Sequence, residues 1–172
     1  MRHTVSNSGR MGMTLVEMLI VISVIVILIG ILVPSIAAYR TAAKKAKTSA
    51  LINNICMGLD AYKSDHRSYP TVAGNMDHYH SLNRALYVAI SGDVNQNLIR
   101  DIGDKPAYVE FPEGSVTSGG SIMDAFDATI GYWPFPDFHN RTSYNIWSRG
   151  PDGATGEGID LGNQDDDINN WR

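Results

Sequence analysis

From Met18 to Val33 only Ser23 and Gly30 interrupt an apolar run, and a carboxylate, Glu17, stands directly in front of it. Counted from Leu15, the run reaches about 19 residues, which at roughly 1.5 Å per residue is long enough to cross a bilayer. Glu17 is the anomaly. A carboxylate at membrane depth costs on the order of 2–3 kcal/mol even on insertion scales, and such a group is normally paired. No Lys or Arg lies within the run, so the partner is expected on another chain.

Two ordinary readings of such a segment leave Glu17 unexplained. A secretory signal peptide would use Arg2 and Arg10 as its basic region, but the run is longer than usual and no small-x-small cleavage site follows; the next residues are Pro34-Ser35-Ile36-Ala37-Ala38-Tyr39. A plain signal anchor accounts for the length and not for the carboxylate.

Charge is unevenly spread. Residues 1–50 hold six Lys and Arg against Glu17 alone, whereas the remainder holds eight against 17 acidic residues. The acidic remainder argues against a nucleic-acid partner and suits a folded domain that binds a hard cation. With 172 residues the chain has room for one membrane segment and one small domain. Cys56 is the single cysteine, so no intramolecular disulfide is available. It reads as an inert thiol on a helix face. The domain must be held by its core, by a metal or by neighbouring subunits.

The stretch "G-MTLVEMLIVI", from Gly12 to Ile22, resembles the leader of type IV pilins and type II secretion pseudopilins. The resemblance implies a leader of residues 1–12, cleavage after Gly12 by a prepilin peptidase, and N-methylation of Met13. It implies that Glu17 pairs with the positive N-terminus of a neighbouring subunit in a filament, which neutralises the buried charge and favours correct register. Met13 departs from the Phe usual in the family at that place. Arg40, Lys44, Lys45 and Lys47 outnumber Arg2 and Arg10, and the positive-inside rule read alone places the C-terminal side in the cytoplasm. The leader motif is more specific and sets the opposite orientation.

The helical pattern continues beyond the span. Pro34 is expected to kink the helix without ending it, because Ala- and Lys-rich sequence resumes at once. A polymerisation helix over 13–35 is therefore followed by an amphipathic half over 36–66. Ile52, Ile55, Cys56, Leu59 and Tyr62 form its apolar stripe, and Arg40, Lys44, Lys45 and Lys47 its solvated or subunit-facing surface. The helix should end near Asp65–Arg67, where Tyr69-Pro70 begins extended chain. "LDAYKSDHRSYPT", residues 59–71, resembles the segment that closes this helix in the major pseudopilins of type II secretion systems.

Residues 67–172 form the globular part. Residues 72–80 read as loop and 81–91 as a short helix with Ser81 as N-cap, with another turn or two in 94–102. "AYVEF" (107–111), "ATIGYWPF" (128–135) and "TSYNIWSR" (142–149) read as strands. The expected class is α+β: a pilin-like long helix packed on an antiparallel sheet of about three strands. The region 81–123 resembles the family least. Asp77, His78 and His80 could belong to a metal enzyme, but no nucleophile–base pair or three-ligand zinc spacing accompanies them. The chain is expected not to be an enzyme.

The acidic loop 146–171 is the chemically richest stretch. A disordered acidic tail would not carry Ile159, Leu161, Ile168 and Trp171. Calcium takes six to eight hard oxygen ligands, and glycines allow the turns it needs. The spacing is not that of an EF-hand. The loop resembles the calcium-binding loop of major pseudopilins, "W-S-x-G-x-D-G…E-G…D-x-D-I-x-N-W". The resemblance implies ligands at Asp152, Asp165 and Asp167, with Ser148 and the carbonyl of Ile146 as secondary ligands. The choice among Asp160, Asp165, Asp166 and Asp167 stays open.

The function so implied is a structural subunit of a type II secretion pseudopilus, anchored in the inner membrane with its C-terminal domain in the periplasm. Its partners would be copies of itself, minor pseudopilins, the prepilin peptidase, the inner-membrane assembly platform and lipid, and it would drive export of folded proteins across the outer membrane. The alternative is a type IV pilus subunit for adhesion, motility or DNA uptake.

Overall fold

The structure, a computed structural model, describes residues 13–71, 79–93, 105–136, 139–155 and 165–171. Contacts divide the chain into two compact units, Met1–Arg40 and Thr41–Arg172. Helix α1, Leu15–His66, contributes to both. In the first unit every large apolar side chain of the run is exposed, and by length and composition α1 can cross a membrane. The helix passes through Pro34, so the proline does not end it. Lys63 and His66 in the last turn suit the negative end of the helix dipole. Arg67 then takes a left-handed φ of 61° and donates its N–H to the Lys63 carbonyl at 2.7 Å, stopping the helix where the sequence expects it to stop.

The second unit is built around the apolar stripe of α1. Leu51, Ile52, Ile55 and Leu59 are buried in one core with Leu86 and Ile90 of helix α2, Tyr79–Ser91. Cys56 and Tyr62 pack against that core from its margin, as their places in the stripe imply. Gly58 is in the buried face because a Cβ there would overlap the Val109 side chain. Burial pushes the Cys56 thiol above its ordinary pKa, which keeps it protonated and unreactive.

Three short antiparallel strands complete the unit: β1, Gly131–Trp133; β2, Asn145–Ser148; and β3, Ile168–Asn169, in the order β1-β2-β3. Gly131 stands opposite Trp147 in the β1–β2 register, and a Cβ on it would collide with the indole. The α+β pilin-like architecture is as expected, with two corrections in detail. "AYVEF" is not a strand. The N–H groups of Tyr108 and Val109 both donate to the Ile90 carbonyl, at 2.8 and 3.0 Å, so the segment caps the C-terminal end of α2. Its alternation has another cause: Val109 turns inward onto α1 while Glu110 faces water. The third strand is β3 instead, inside the acidic loop.

The second correction concerns α2, which begins at Tyr79, so Ser81 lies within the helix rather than capping it. Gly92, at φ 76°, ends the helix and accepts the Lys105 N–H at 3.0 Å. The segment 94–102 lies outside the described residues.

Two tyrosines put hydroxyls inside the core. Tyr132 donates to the Pro70 carbonyl at 3.1 Å and Tyr144 to the Cys56 carbonyl at 3.4 Å. Burial raises both phenol pKa values well above the ordinary 10.0. A raised folded-state pKa gives stability that is complete below the unfolded value and lost as pH climbs beyond it. The midpoint of thermal unfolding should therefore hold steady up to about pH 10 and fall steeply above it, less steeply in Tyr144→Phe. Melts across an alkaline pH series, followed by tryptophan fluorescence, check this.

Candidate functional site

Two places carry the expected chemistry. The first is the start of α1. Thr14 precedes the helix, and Glu17 occupies its first turn. Glu17 Oε2 accepts the Thr14 N–H at 2.8 Å and the Thr14 hydroxyl at 2.7 Å, while the Glu17 N–H donates to Thr14 Oγ1 at 3.3 Å. This is a reciprocal capping box, in which each side chain satisfies the other residue's backbone N–H. It also sets a carboxylate at the positive end of the helix dipole. The signal was in the sequence: Thr-x-x-Glu immediately ahead of an apolar run is the pattern of a capping box. Gly12 lies outside the described residues, and Met13 is exposed.

The second place is the turn after β2 and the short segment that leads into β3. Ser148, fully buried at the end of β2, donates to Asp124 Oδ2 at 2.5 Å and accepts the Gly150 N–H at 3.1 Å. Asp124 is itself buried, and its other oxygen accepts the N–H groups of Phe126 and Ala128 at 2.8 and 2.9 Å. Gly150 has φ 65°, and a Cβ there would collide with the Asp166 carbonyl, so the two chain segments touch at backbone distance. The Asp152 N–H donates to Asp166 Oδ2 at 3.2 Å, and Asp152 Oδ1 accepts the Ala154 N–H at 2.8 Å. Thr155 donates its hydroxyl to Asp167 Oδ2 at 3.0 Å. Asn170 Oδ1 accepts the Ile146 N–H at 3.1 Å, and the Asn170 N–H donates to the Ile146 carbonyl at 3.2 Å. Trp171 lies stacked on His139 and edge-on to Trp147, which anchors the end of the segment.

The expected ligand residues thus fall in one neighbourhood, with some exchange of roles. Asp152 is linked to Asp166, and Asp167 is buried beneath Thr155, whereas Asp165 is exposed. Asp124 and Thr155 were not expected there. Asp124 is legible only as a turn-forming aspartate, and the long-range contact with Ser148 has no local signal. The donors offered are hard oxygens, the chemistry that calcium prefers. Among the described residues no three His, Cys, Asp or Glu side chains converge as a metal cluster. Asp160 lies outside them, as do Asp77 and His78 of the rejected enzyme reading.

The long apolar helix followed by a small antiparallel sheet, with a carboxylate at the head of the helix, defines a subunit of pilin-like fold. No protein-family model matches the chain. It is homologous to the type II secretion system core protein G of Escherichia coli, 26% identical over 166 residues, which cover 96% of this chain and 94% of that protein. It also matches the type IV wide pilus major component PilA4 of Thermus thermophilus, 38% identical over 58 residues; that match covers 34% of this chain and less than half, 44%, of the pilus protein. Both relatives are components of a secretion system or a pilus by name, and neither is named as an enzyme.

Asp124 holds two backbone amides and Ser148 at once, so its removal should be costly. Asp124→Ala is expected to lose about 2–4 kcal/mol of stability, and Asp124→Asn, which keeps one acceptor, to recover at least part of it. Urea unfolding of the full chain in detergent measures both.

Proposed function

We propose that this chain is a structural subunit of a type II secretion pseudopilus. The observation that carries the reading is the extent of the match to core protein G, which runs through nearly the whole of both chains and so includes the globular unit and the C-terminal loop. The match to the pilus component stops at 58 residues, which makes a type IV pilus subunit for adhesion, motility or DNA uptake the second reading. In the first, a prepilin peptidase cleaves after Gly12 and Met13 is N-methylated. The chain sits in the inner membrane by a single span with its C-terminal domain in the periplasm. Copies assemble through α1 on the inner-membrane platform, with minor pseudopilins at the tip, and the filament drives folded proteins across the outer membrane. Catalysis belongs to the processing and assembly enzymes.

Glu17 is the residue on which assembly turns. In the single chain its carboxylate is engaged by Thr14. In the filament it would take the positive N-terminus of a neighbour as a further, charged donor, and charge-assisted bonds are roughly twice as strong. Mass spectrometry of the chain extracted from membranes should find an N-terminus at methylated Met13. An N-terminus at Met1, or one created within residues 35–39, contradicts the reading. Glu17→Ala should enter the membrane normally and yield few filaments by electron microscopy; a normal yield would sink the pairing.

The C-terminal loop is proposed to bind calcium through Asp152, Asp167 and one of Asp165 and Asp166, with Ser148 and the Ile146 carbonyl at the edge of the site. Support comes from the oxygen-only donor set and from the Gly150 turn that brings its two segments together. The metal would neutralise carboxylates that otherwise repel one another. At a hundredfold excess over its dissociation constant, calcium should stabilise the fold by about 2.7 kcal/mol. Thermal melts of the full chain in detergent, with calcium and with chelator, should show that gain, and Asp152→Ala and Asp167→Ala should lose it. Magnesium should not replace calcium, and equal midpoints in all conditions would reduce the loop to an acidic turn.

A further inference from the structure

Past Glu17 no side chain of α1 is charged until Arg40. The uncharged stretch from Met18 to Tyr39 is about 22 residues, roughly 33 Å of helix, against a hydrocarbon core about 30 Å thick. Glu17 stands at one end of it and Tyr39 at the other. Tyr39 is 75% exposed, and a tyrosine that closes a span belongs where the acyl chains meet the headgroups.

The charges that follow are all positive. Arg40, Lys44, Lys45 and Lys47 come within about two turns, and α1 holds no acidic residue before Asp60. Arg40, Lys44 and Lys47 are exposed and Lys45 is half-buried. Among the described residues no carboxylate pairs with any of the four. Like charges four residues apart on a helix repel, so Arg40 and Lys44 cost stability unless an anion lies beside them. Lys44 Nζ stands 5.6 Å from the centroid of the Phe126 ring, which holds that cation in place without neutralising it.

Depth decides which anion. The headgroup layer extends about 5–8 Å beyond the hydrocarbon core on each side. Arg40 falls within it. Lys44 and Lys45 lie roughly 8–9 Å past Tyr39, and their flexible stems let the ammonium groups lean back into the layer. Lys47 is further out, and with Asp124 it lines a groove of about 320 Å³ between α1 and the segment 112–125, so it has another negative group at hand. We propose that Arg40, Lys44 and Lys45 bind the phosphates of anionic phospholipids at the surface where α1 leaves the bilayer. The sequence leaves these residues solvated or subunit-facing; their depth gives them a lipid neighbour. Each cation within about 8 Å of such a surface strengthens the association by about fivefold. The proposal rests on α1 spanning the membrane and not on which filament the chain builds. Both leaflets present phosphates, so it holds for either orientation of the span.

The test uses the full chain in phosphatidylcholine bilayers, with spin-labelled phosphatidylglycerol or phosphatidylcholine as the probe. Electron spin resonance reads the fraction of each lipid held at the protein. Phosphatidylglycerol should be selected about fivefold over phosphatidylcholine. In 1 M sodium chloride, where screening acts within about 3 Å, the selection should fall below about twofold; this arm needs no variant. Sodium phosphate at equal ionic strength should weaken it no more than sodium chloride does, as expected of a lipid site and not of a site for free phosphate. The triple variant Arg40→Gln, Lys44→Gln, Lys45→Gln should keep the parent's melting midpoint and lose the selection. Lys63→Gln with Arg67→Gln, at the far end of α1, should leave it unchanged. Equal association of the two lipids with the parent overturns the proposal and leaves the pseudopilus reading intact. So does a selection that survives the triple variant, or one that the Lys63 and Arg67 pair removes, which would assign it to net charge alone. Loss of self-association in the triple variant, with no lipid selection in the parent, also overturns it and turns the cations toward a second copy. If the full chain does not float with liposomes after an alkaline wash, the span itself falls, and the filament reading and this contact fall with it.

Discussion

One buried amide holds the globular unit in its order. Asn83, on the inner face of α2, is fully buried and donates to the Ile122 and Ile130 carbonyls at 3.2 and 2.6 Å, while its oxygen accepts the Ile122 N–H at 2.7 Å. A primary amide buried without partners would cost several kcal/mol, so these bonds specify position as well as supply stability. They tie α2 to both ends of segment 122–130. That segment presents Asp124 to Ser148 at the end of β2, and Ser148 in turn holds the Gly150 turn over Asp166. The outer side of the same segment, with Met123 and Ala125, is the wall of the groove beside α1. A single side chain in α2 thus helps to set both the C-terminal loop and the groove beside α1, with Asp124 common to the two.

Much of the fold could be read from the sequence because its signals are local. The length of α1, its stop at Arg67 and the cores of β1 and β2 all follow from apolar period, from Tyr-Pro, and from β-branched and aromatic runs. Asn83 could not be read so. It occupies an apolar position of the α2 stripe, with Leu86, Tyr87 and Ile90 after it, and only the tertiary partners show why an amide is tolerated there. "AYVEF" has the alternation of a strand, but alternation records which side of an extended chain is buried and not what its backbone bonds to. Strand β3 is two residues long, too short to carry any period, and its acidic flank masked it. In the candidate site the aspartates were legible as donors. Their pairings were not, because the Asp152–Asp166 and Ser148–Asp124 contacts span 14 and 24 residues.

The head of α1 shows how one residue can serve two states. A helix start leaves its first N–H groups without intrahelical acceptors, and inside a membrane no water can satisfy them. Glu17 and Thr14 close that gap within the single chain. The proposed pairing with a neighbouring N-terminus draws on the same carboxylate, whose second oxygen remains available for a second partner by the ordinary capacity of the group. Assembly would then add a charge partner without first exposing the helix start to lipid, and the two roles reinforce each other rather than compete.

The sheet argues for the same route of assembly from the opposite side. Its order β1-β2-β3 leaves β1 and β3 as edges, and an open edge is a template for pairing with another chain. Here both edges are short, three residues and two. Pro134 follows β1 directly and offers no N–H to an incoming strand. Growth by strand addition is thereby disfavoured at either edge. Among the described residues the long exposed apolar surface is that of α1 ahead of Pro34. With its sheet edges closed to pairing and its apolar helix exposed, the chain offers the proposed assembly a route through α1 rather than through the sheet.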